Sequence, residues 1–246
     1  MSKHIETVVV GGGQAGLAVS YYLSEQNRSH IVLEQAHKSG NVWRNHRWDS
    51  FTLNTPNWQS VLPGGGVPGT LPDGFLSGEE IVAYFENYVR QFQLPVRYGI
   101  RVESVRQRPS GLGYVIETSI GSFEAVNVVI ATGLYQKPKT PSFSKNFPTR
   151  IKQIHSDEYR NSNSLPDGSI LVVGSGQSGA QIAEELYQSG KKVYLLETPE
   201  SNSQTPLSGH AQIPGQNSLA LPTRPNRRTG SCSSFLVNPS ILQSLC

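Results

Sequence analysis

Six glycines carry the first chemical signal in this chain. Gly11, Gly13 and Gly16 stand in the spacing Gly-x-Gly-x-x-Gly, and Gly174, Gly176 and Gly179 repeat it 163 residues later (174 − 11). An acid follows the third glycine of each set by 18 residues: Glu34 in the first (34 − 16) and Glu197 in the second (197 − 179). The first glycine of such a set permits a tight strand-to-helix turn. The second lets backbone approach a pyrophosphate, and the third lets helix and strand pack closely. A helix opening at Gln14-Ala15, or at Gln177-Ser178, turns unpaired N–H groups and a positive dipole end toward phosphates. The acid accepts hydrogen bonds from ribose hydroxyls. Two such sets point to two dinucleotides, and the usual pair is a flavin and a nicotinamide, between which a hydride passes. That step asks the protein for orientation rather than for a strong acid, base or nucleophile.

The elements that must hold these glycines repeat with them. Residues 8–34 read VVVGGGQAGLAVSYYLSEQNRSHIVLE and residues 171–197 read LVVGSGQSGAQIAEELYQSGKKVYLLE, aligned without a gap. Each opens on a β-branched run fit for a buried parallel strand. Each continues into an amphipathic helix, with Leu17, Val19 and Leu23 inward in the first and Ile182, Ala183 and Leu186 in the second. A second strand closes each unit, at Ile31–Leu33 and at Val193–Leu196. The fold class expected is α/β, with two Rossmann-like dinucleotide-binding units.

Between the units, residues 39–68 are rich in Trp, Asn, Pro and Gly and lack helical periodicity, so an irregular loop is expected. Trp43, Trp48 and Trp58 could cover an aromatic ring or pin the loop to its own core. Arg44 and Arg47 could meet phosphate or solvent. Ser77 and Glu80 have capping-box spacing, and Ile81, Tyr84, Phe85, Tyr88 and Val89 fall on one face, so 77–93 reads as a structural helix. Four runs, Arg101–Gln107, Tyr114–Thr118, Ser122–Ala125 and Val128–Ala131, predict a β-meander. The last enters Ala131-Thr132-Gly133, small residues that permit close backbone contact with a ligand. Pro138 and Pro141 predict a stiff exit. His155 with Tyr159 and Arg160 makes a polar cluster ahead of the second unit, in which His155 reads as a structural histidine.

Composition removes other classes. The 246 residues carry 21 Lys plus Arg and 18 Asp plus Glu, a net charge of +3. That balance argues for neither a nucleic acid nor a membrane partner. The two cysteines, Cys232 and Cys246, exclude a disulfide framework, a multi-cysteine metal site and a Cys-x-x-Cys centre. No apolar run approaches the ~20 residues of a membrane span. The chain passes from MSKHIET directly into a strand, without a signal peptide, so a soluble cytoplasmic protein is expected.

The chain resembles the flavin-containing monooxygenases and their bacterial relatives, the class B flavoprotein monooxygenases. The resemblance spans residues 5–197 or so. It rests on the two glycine motifs in this order, on Gly40-Asn41-Val42-Trp43, on Asn54-Thr55-Pro56, and on Ala131-Thr132-Gly133-Leu134-Tyr135 with Pro138 and Pro141. His155 to Tyr159 is similar to the end of the family's linker fingerprint. The Phe-x-Gly opening of that fingerprint is absent, and Tyr159-Arg160 stands where Baeyer–Villiger enzymes end in Trp-Pro.

The resemblance implies FAD in the first unit, with Trp43 and Arg44 beside it, and NADPH in the second. It implies a C4a-hydroperoxyflavin that oxygenates a soft nitrogen or sulfur nucleophile on a small-molecule substrate. Asn54 matches the family's Asn near the flavin C4a/N5 edge, where a carboxamide can donate and accept; a turn-forming Asn before Thr-Pro is the other reading. The competing functions are a non-oxygenating NAD(P)H:flavin oxidoreductase and a non-catalytic remnant that binds FAD weakly or not at all.

The expected division is an FAD domain over 1–141, a linker over 142–168, the start of an NAD(P) domain over 169–197, and a divergent tail over 198–246. Those 49 tail residues hold nine Ser, six Pro, one acid (Glu200) and no Lys, so poor order is expected. The second unit then looks incomplete, as a truncated gene product or a real short variant would. Val172 and Leu195 would lie in a sheet with too few partners, which predicts marginal stability. Glu197 would repel a 2′-phosphate and favour NADH, against the family's NADPH.

Overall fold

The computed structural model describes residues 3–133, 137–196 and 235–237. Two compact units divide the chain: Met1–His46 with Thr52–Gln136, and Arg47–Phe51 with Lys137–Cys246.

The first unit begins with β1 (Lys3–Val10), α1 (Gln14–Glu25) and β2 (His30–Leu33). A short α2 (Asn41–Asn45) and then α3 (Gly78–Gln91) lead to β3 (Val96–Arg97), β4 (Val102–Gln107), β5 (Tyr114–Thr118) and β6 (Gly121–Ile130). The sheet order is β3-β2-β1-β6-β5-β4. β1 pairs in parallel with β2 on one side and with β6 on the other. The chain therefore steps outward from β1 in one direction and resumes at β6 in the other. Ligands of open α/β sheets bind at such a switch point, beyond the carboxyl ends of the strands. Val8, Val10, Ile31, Leu33, Ile116 and Phe123 fill one sheet face. α1 crosses β1 and β2, where Leu17, Val9 and Val32 lose all exposure.

Two sequence expectations change here. Ser122–Ala125 and Val128–Ala131 form one strand, β6, which pairs antiparallel with β5 through Ala125 and parallel with β1 along its length. Asn127 bridges the two runs opposite Thr7, and its Nδ2 donates to Thr7 Oγ1 at 3.4 Å. Residues 39–68 contain the single helical turn of α2 and a 3-10 turn over Asn57–Gln59. Gly40 starts α2 with φ +72, and a Cβ there would come 2.9 Å from Val82 Cγ2 on α3.

The capping box of α3 is formed. Ser77 N–H donates to Glu80 Oε2 at 2.8 Å, and Glu80 N–H donates to Ser77 Oγ at 3.3 Å. The backbone and hydroxyl of Ser77 hold the Glu80 carboxyl below its usual range. Ile81, Phe85 and Tyr88 are buried as the periodicity requires. Tyr21 and Tyr88 each meet Phe92 edge-on at 4.8 Å between centroids.

The second unit holds β7 (Gln153–His155), β8 (Ile170–Val173), α4 (Gln177–Gln188), β9 (Val193–Leu196) and β10 (Phe235–Val237), in the sheet order β7-β10-β8-β9. β8 and β9 are parallel, and α4 buries Ile182, Ala183 and Leu186 as expected. Residues expected as a separate linker contribute β7 to this sheet. β10 lies antiparallel between β7 and β8, so β8 has a partner on each side and Val172 is fully buried. Val172 thus has a strand on each side, whereas Leu195 lies on β9, which pairs with β8 alone. Glu197 and the 198–246 tail apart from 235–237 lie outside the described residues.

Five residues from the sequence of the first unit belong to the second. Trp48 is buried edge-on against Phe51 at 5.1 Å, and the Arg47 guanidinium stands 5.4 Å over the Phe51 ring. Asp49 N–H donates to Arg160 O at 2.8 Å, and Asn161 Nδ2 donates to Asp49 Oδ2 at 2.6 Å. The Glu185 carboxylate on α4 accepts from Ser50 Oγ at 2.6 Å and from the Tyr159 hydroxyl at 2.8 Å. Tyr159 has no exposure. Burial first, then the Glu185 hydrogen bond and charge, push its phenol well above its usual value.

Because the folded phenol holds its proton longer than the unfolded one, Tyr159 contributes stability below the unfolded value of about 10 and loses it as pH rises beyond. Tyr159→Phe strips a charge-assisted partner from Glu185 and costs about 1.5–3 kcal/mol near neutrality. Urea unfolding at stepped alkaline pH should show a shallower decline for this variant than for the parent chain; an equal slope contradicts the assignment.

Candidate functional site

The first cradle forms where β1, β2 and β6 end together. Val10 is in register with Leu33 on one side and with Ile130 on the other. Gly11 N–H donates to Leu33 O, and Ala131 N–H donates to Val10 O, both at 2.8 Å. Gly11 takes φ +106, and a Cβ there would lie 2.5 Å from Ala131 O. The turn and the Ala131-Thr132-Gly133 segment thus close on each other only because residue 11 has no side chain. At Gly16 a Cβ would fall inside the Gly11 carbonyl oxygen. At Gly13 a Cβ would meet nothing within 4 Å. Gly13 is the N-cap of α1 and carries no side-chain cap, so the first N–H groups of the helix face open space beside Gln14 and Ala15. Such a terminus favours an anion.

Glu34 closes the opposite wall. Its Oε2 accepts from Gly12 N–H at 2.7 Å and its Oε1 from Ala36 N–H at 2.8 Å. Each oxygen keeps lone-pair capacity for a diol. Turn, helix terminus and carboxylate suit a dinucleotide.

The second cradle repeats the first. Gly174 has φ +101, and its N–H donates to Leu196 O at 3.0 Å. Gly176 is the uncapped N-cap of α4, which opens with Gln177 and Ser178 and packs closely at the buried Gly179. Ala180 N–H donates to Gly176 O at 2.9 Å, as Leu17 N–H does to Gly13 O in the first unit.

The remaining expected residues are placed differently. Arg44 is engaged by protein: Nε donates to Ser39 O at 3.0 Å and Nη2 pairs with Glu86. Trp43 is half-buried and Trp58 is exposed, whereas Trp48 and Arg47 belong to the second unit. Asn54 is exposed, and its carboxamide makes no hydrogen bond among the described residues. The His155 ring accepts at Nδ1 from Asp157 N–H at 3.1 Å. Desolvation pulls its pKa down against the opposing pull of Asp157 and Glu158. Sequence reasoning missed Asn57, a buried side chain that ties two loops together; its position directly after Asn54-Thr55-Pro56 was the available signal. It also missed Glu185, which nothing local distinguishes from a solvated helix acid. Among the described residues no group of His, Cys, Asp and Glu is arranged to hold a metal ion, and no helix is long and apolar enough to cross a membrane.

The fold is of the α/β class, with two dinucleotide-binding Rossmann-like units. The chain belongs to the pyridine nucleotide-disulphide oxidoreductase family, which matches residues 8–213. An uncharacterised oxidoreductase, CzcO, of Bacillus subtilis is 41% identical over 181 residues, 74% of this chain and 51% of the relative. A flavin-containing monooxygenase from Stenotrophomonas maltophilia superposes with a TM-score of 0.72 at 28% identity, covering 80% of this chain and 59% of that one. A bacillithiol disulfide reductase from Staphylococcus aureus shares the fold, with a TM-score of 0.67 at 19% identity over 83% of this chain and 61% of that one. The similarity to flavin monooxygenases that the motifs implied is therefore borne out. The chain spans about half the length of the curated relatives it matches.

Proposed function

We propose that the first unit binds FAD, that the second binds NADPH or NADH, and that the protein is a flavin-dependent monooxygenase acting on soft nitrogen or sulfur nucleophiles. One observation carries most weight: the Gly11–Gly16 turn, the α1 terminus without a side-chain cap and the Glu34 carboxylate lie together, an arrangement that suits a dinucleotide. Bound FAD would supply hydride acceptance and the activation of O₂. The chain's own residues would bind and orient. Gly11, Gly13, Gln14, Ala15 and Gly16 would hold the flavin pyrophosphate, Glu34 its ribose, and Ala131, Thr132 and Gly133 would line the same pocket with backbone. Gly174, Gly176, Gln177, Ser178 and Gly179 would hold the nicotinamide dinucleotide. Asn54 would offer its uncommitted carboxamide to the flavin edge, with Trp43 and Arg44 bordering it.

The family's name includes disulfide chemistry, but no cysteine stands in residues 8–213, and reduction of a disulfide through a protein dithiol needs two. The similarity to the Stenotrophomonas flavin-containing monooxygenase supports oxygenation instead. The second reading is a flavin oxidoreductase that passes electrons to O₂ without oxygenating a substrate.

The test is product partition. FAD-loaded chain is reduced anaerobically with NADPH or NADH, then mixed with O₂ and a thioether or tertiary amine. Sulfoxide or N-oxide in proportion to the nicotinamide consumed is the expected outcome. Hydrogen peroxide alone supports the second reading, and failure of either nicotinamide to bleach the flavin contradicts both.

A further inference from the structure

Asn57 is 3% exposed, yet its Oδ1 is buried without a hydrogen-bond partner among the described residues. An apolar side chain of similar shape would avoid that loss, since an unpaired buried acceptor is costly. What the asparagine adds is a side-chain donor: its Nδ2 donates to Leu71 O at 2.8 Å, beside the backbone N–H that donates to Gly74 O at 2.9 Å. Trp58 N–H beside it donates to Pro72 O at 3.1 Å. Two residues before Asn54, Thr52 forms an antiparallel bridge with Ser77, and next to it Leu53 N–H donates to Leu76 O at 2.8 Å. The 52–60 segment is thus stapled to the 71–77 segment twice, at Leu53 and at Asn57, and Asn54-Thr55-Pro56 is the arch between the staples.

The surroundings are shaped for the carboxamide. Gly69, at φ +78, would place a Cβ 2.7 Å from Asn57 Nδ2, and Gly74 would place one at 3.2 Å. A side chain at Gly69 would expel the carboxamide from its seat.

We infer that Asn57 is a positioning residue: its two donors to Leu71 and Gly74 hold the arch that presents Asn54. The inference rests on the proposed role of Asn54 and deepens it.

The test uses the full chain and two substitutions. Asn57→Leu keeps the approximate shape and removes the side-chain donor; Asn57→Asp sets a carboxylate oxygen against the Leu71 carbonyl. Amide hydrogen exchange without cofactor reads the arch directly. Exchange at Leu53, Asn57 and Trp58 should rise tenfold or more in both variants, with α3 and β1 unchanged. Unchanged protection of those three amides overturns the proposal. The visible band and reduction potential of bound FAD read the consequence. Both variants should reproduce the shift seen in Asn54→Ala, and the Asn54→Ala, Asn57→Leu double variant should shift no further. A local exchange increase with the flavin spectrum and potential of the parent chain also overturns it. If the parent chain binds no FAD, the proposed function fails, and the exchange result alone decides whether Asn57 holds the arch.

Discussion

Gly16→Ala yields a chain that retains no FAD and whose first unit loses about 3 kcal/mol of stability. The added Cβ cannot be accommodated by a flexible neighbour, because it meets the backbone carbonyl of Gly11. Relief requires α1 to move away from the turn or the turn to move away from β1. Either motion breaks the contact of Gly11 with Ala131 and the burial of Leu17, which has no exposure. Urea unfolding read by far-ultraviolet circular dichroism gives the stability change, and quenching of flavin fluorescence gives the binding. Parent-like unfolding with normal FAD affinity would falsify the assigned close packing at Gly16.

Gly13→Ala separates binding from folding. Residue 13 has φ −84 and ψ −171, an extended conformation open to any residue, and a Cβ there would meet no protein atom within 4 Å. Unfolding should therefore change by less than about 0.5 kcal/mol. The open space is where a pyrophosphate approaches the helix terminus, so FAD affinity should fall by on the order of 100-fold, near 2.7 kcal/mol. A variant that binds FAD as well as the parent would show that this face of the turn is not the phosphate site. Gly16 and Gly13 thus test two roles of one motif: packing inward and approach outward.

Much of the site was legible because it is local. The strand, turn, helix and acid of each unit lie within one stretch of chain, and spacing alone encodes them. Glu34, 18 residues beyond the third glycine, accepts from Gly12 N–H across the turn and so lies beside the motif. The capping box at Ser77 was equally local. What escaped depends on pairings between distant segments. Asn127 interrupts an apolar pattern and reads as a break, until Thr7 of β1 lies opposite it and shares a hydrogen bond. Arg44 could meet phosphate or solvent by its sequence, and nothing local shows that Glu86, one turn of α3 beyond Val82, stands beside it. Asp49 and Ser50 carry no mark of belonging with Arg160 and Glu185, more than 100 residues away in sequence. The antiparallel seat of β10 was hidden for the same reason: three apolar residues in a Ser- and Pro-rich stretch have no period from which to read a partner.

Residues 11–34, with 131–133, are proposed to form a flavin dinucleotide site. Its most direct test is titration of the purified chain with FAD, followed by flavin fluorescence and by the flavin-to-protein ratio after gel filtration. The expected result is saturable quenching at one FAD per chain, weakened in Gly13→Ala without loss of fold. A folded parent chain that elutes without flavin and leaves FAD fluorescence unquenched would contradict it.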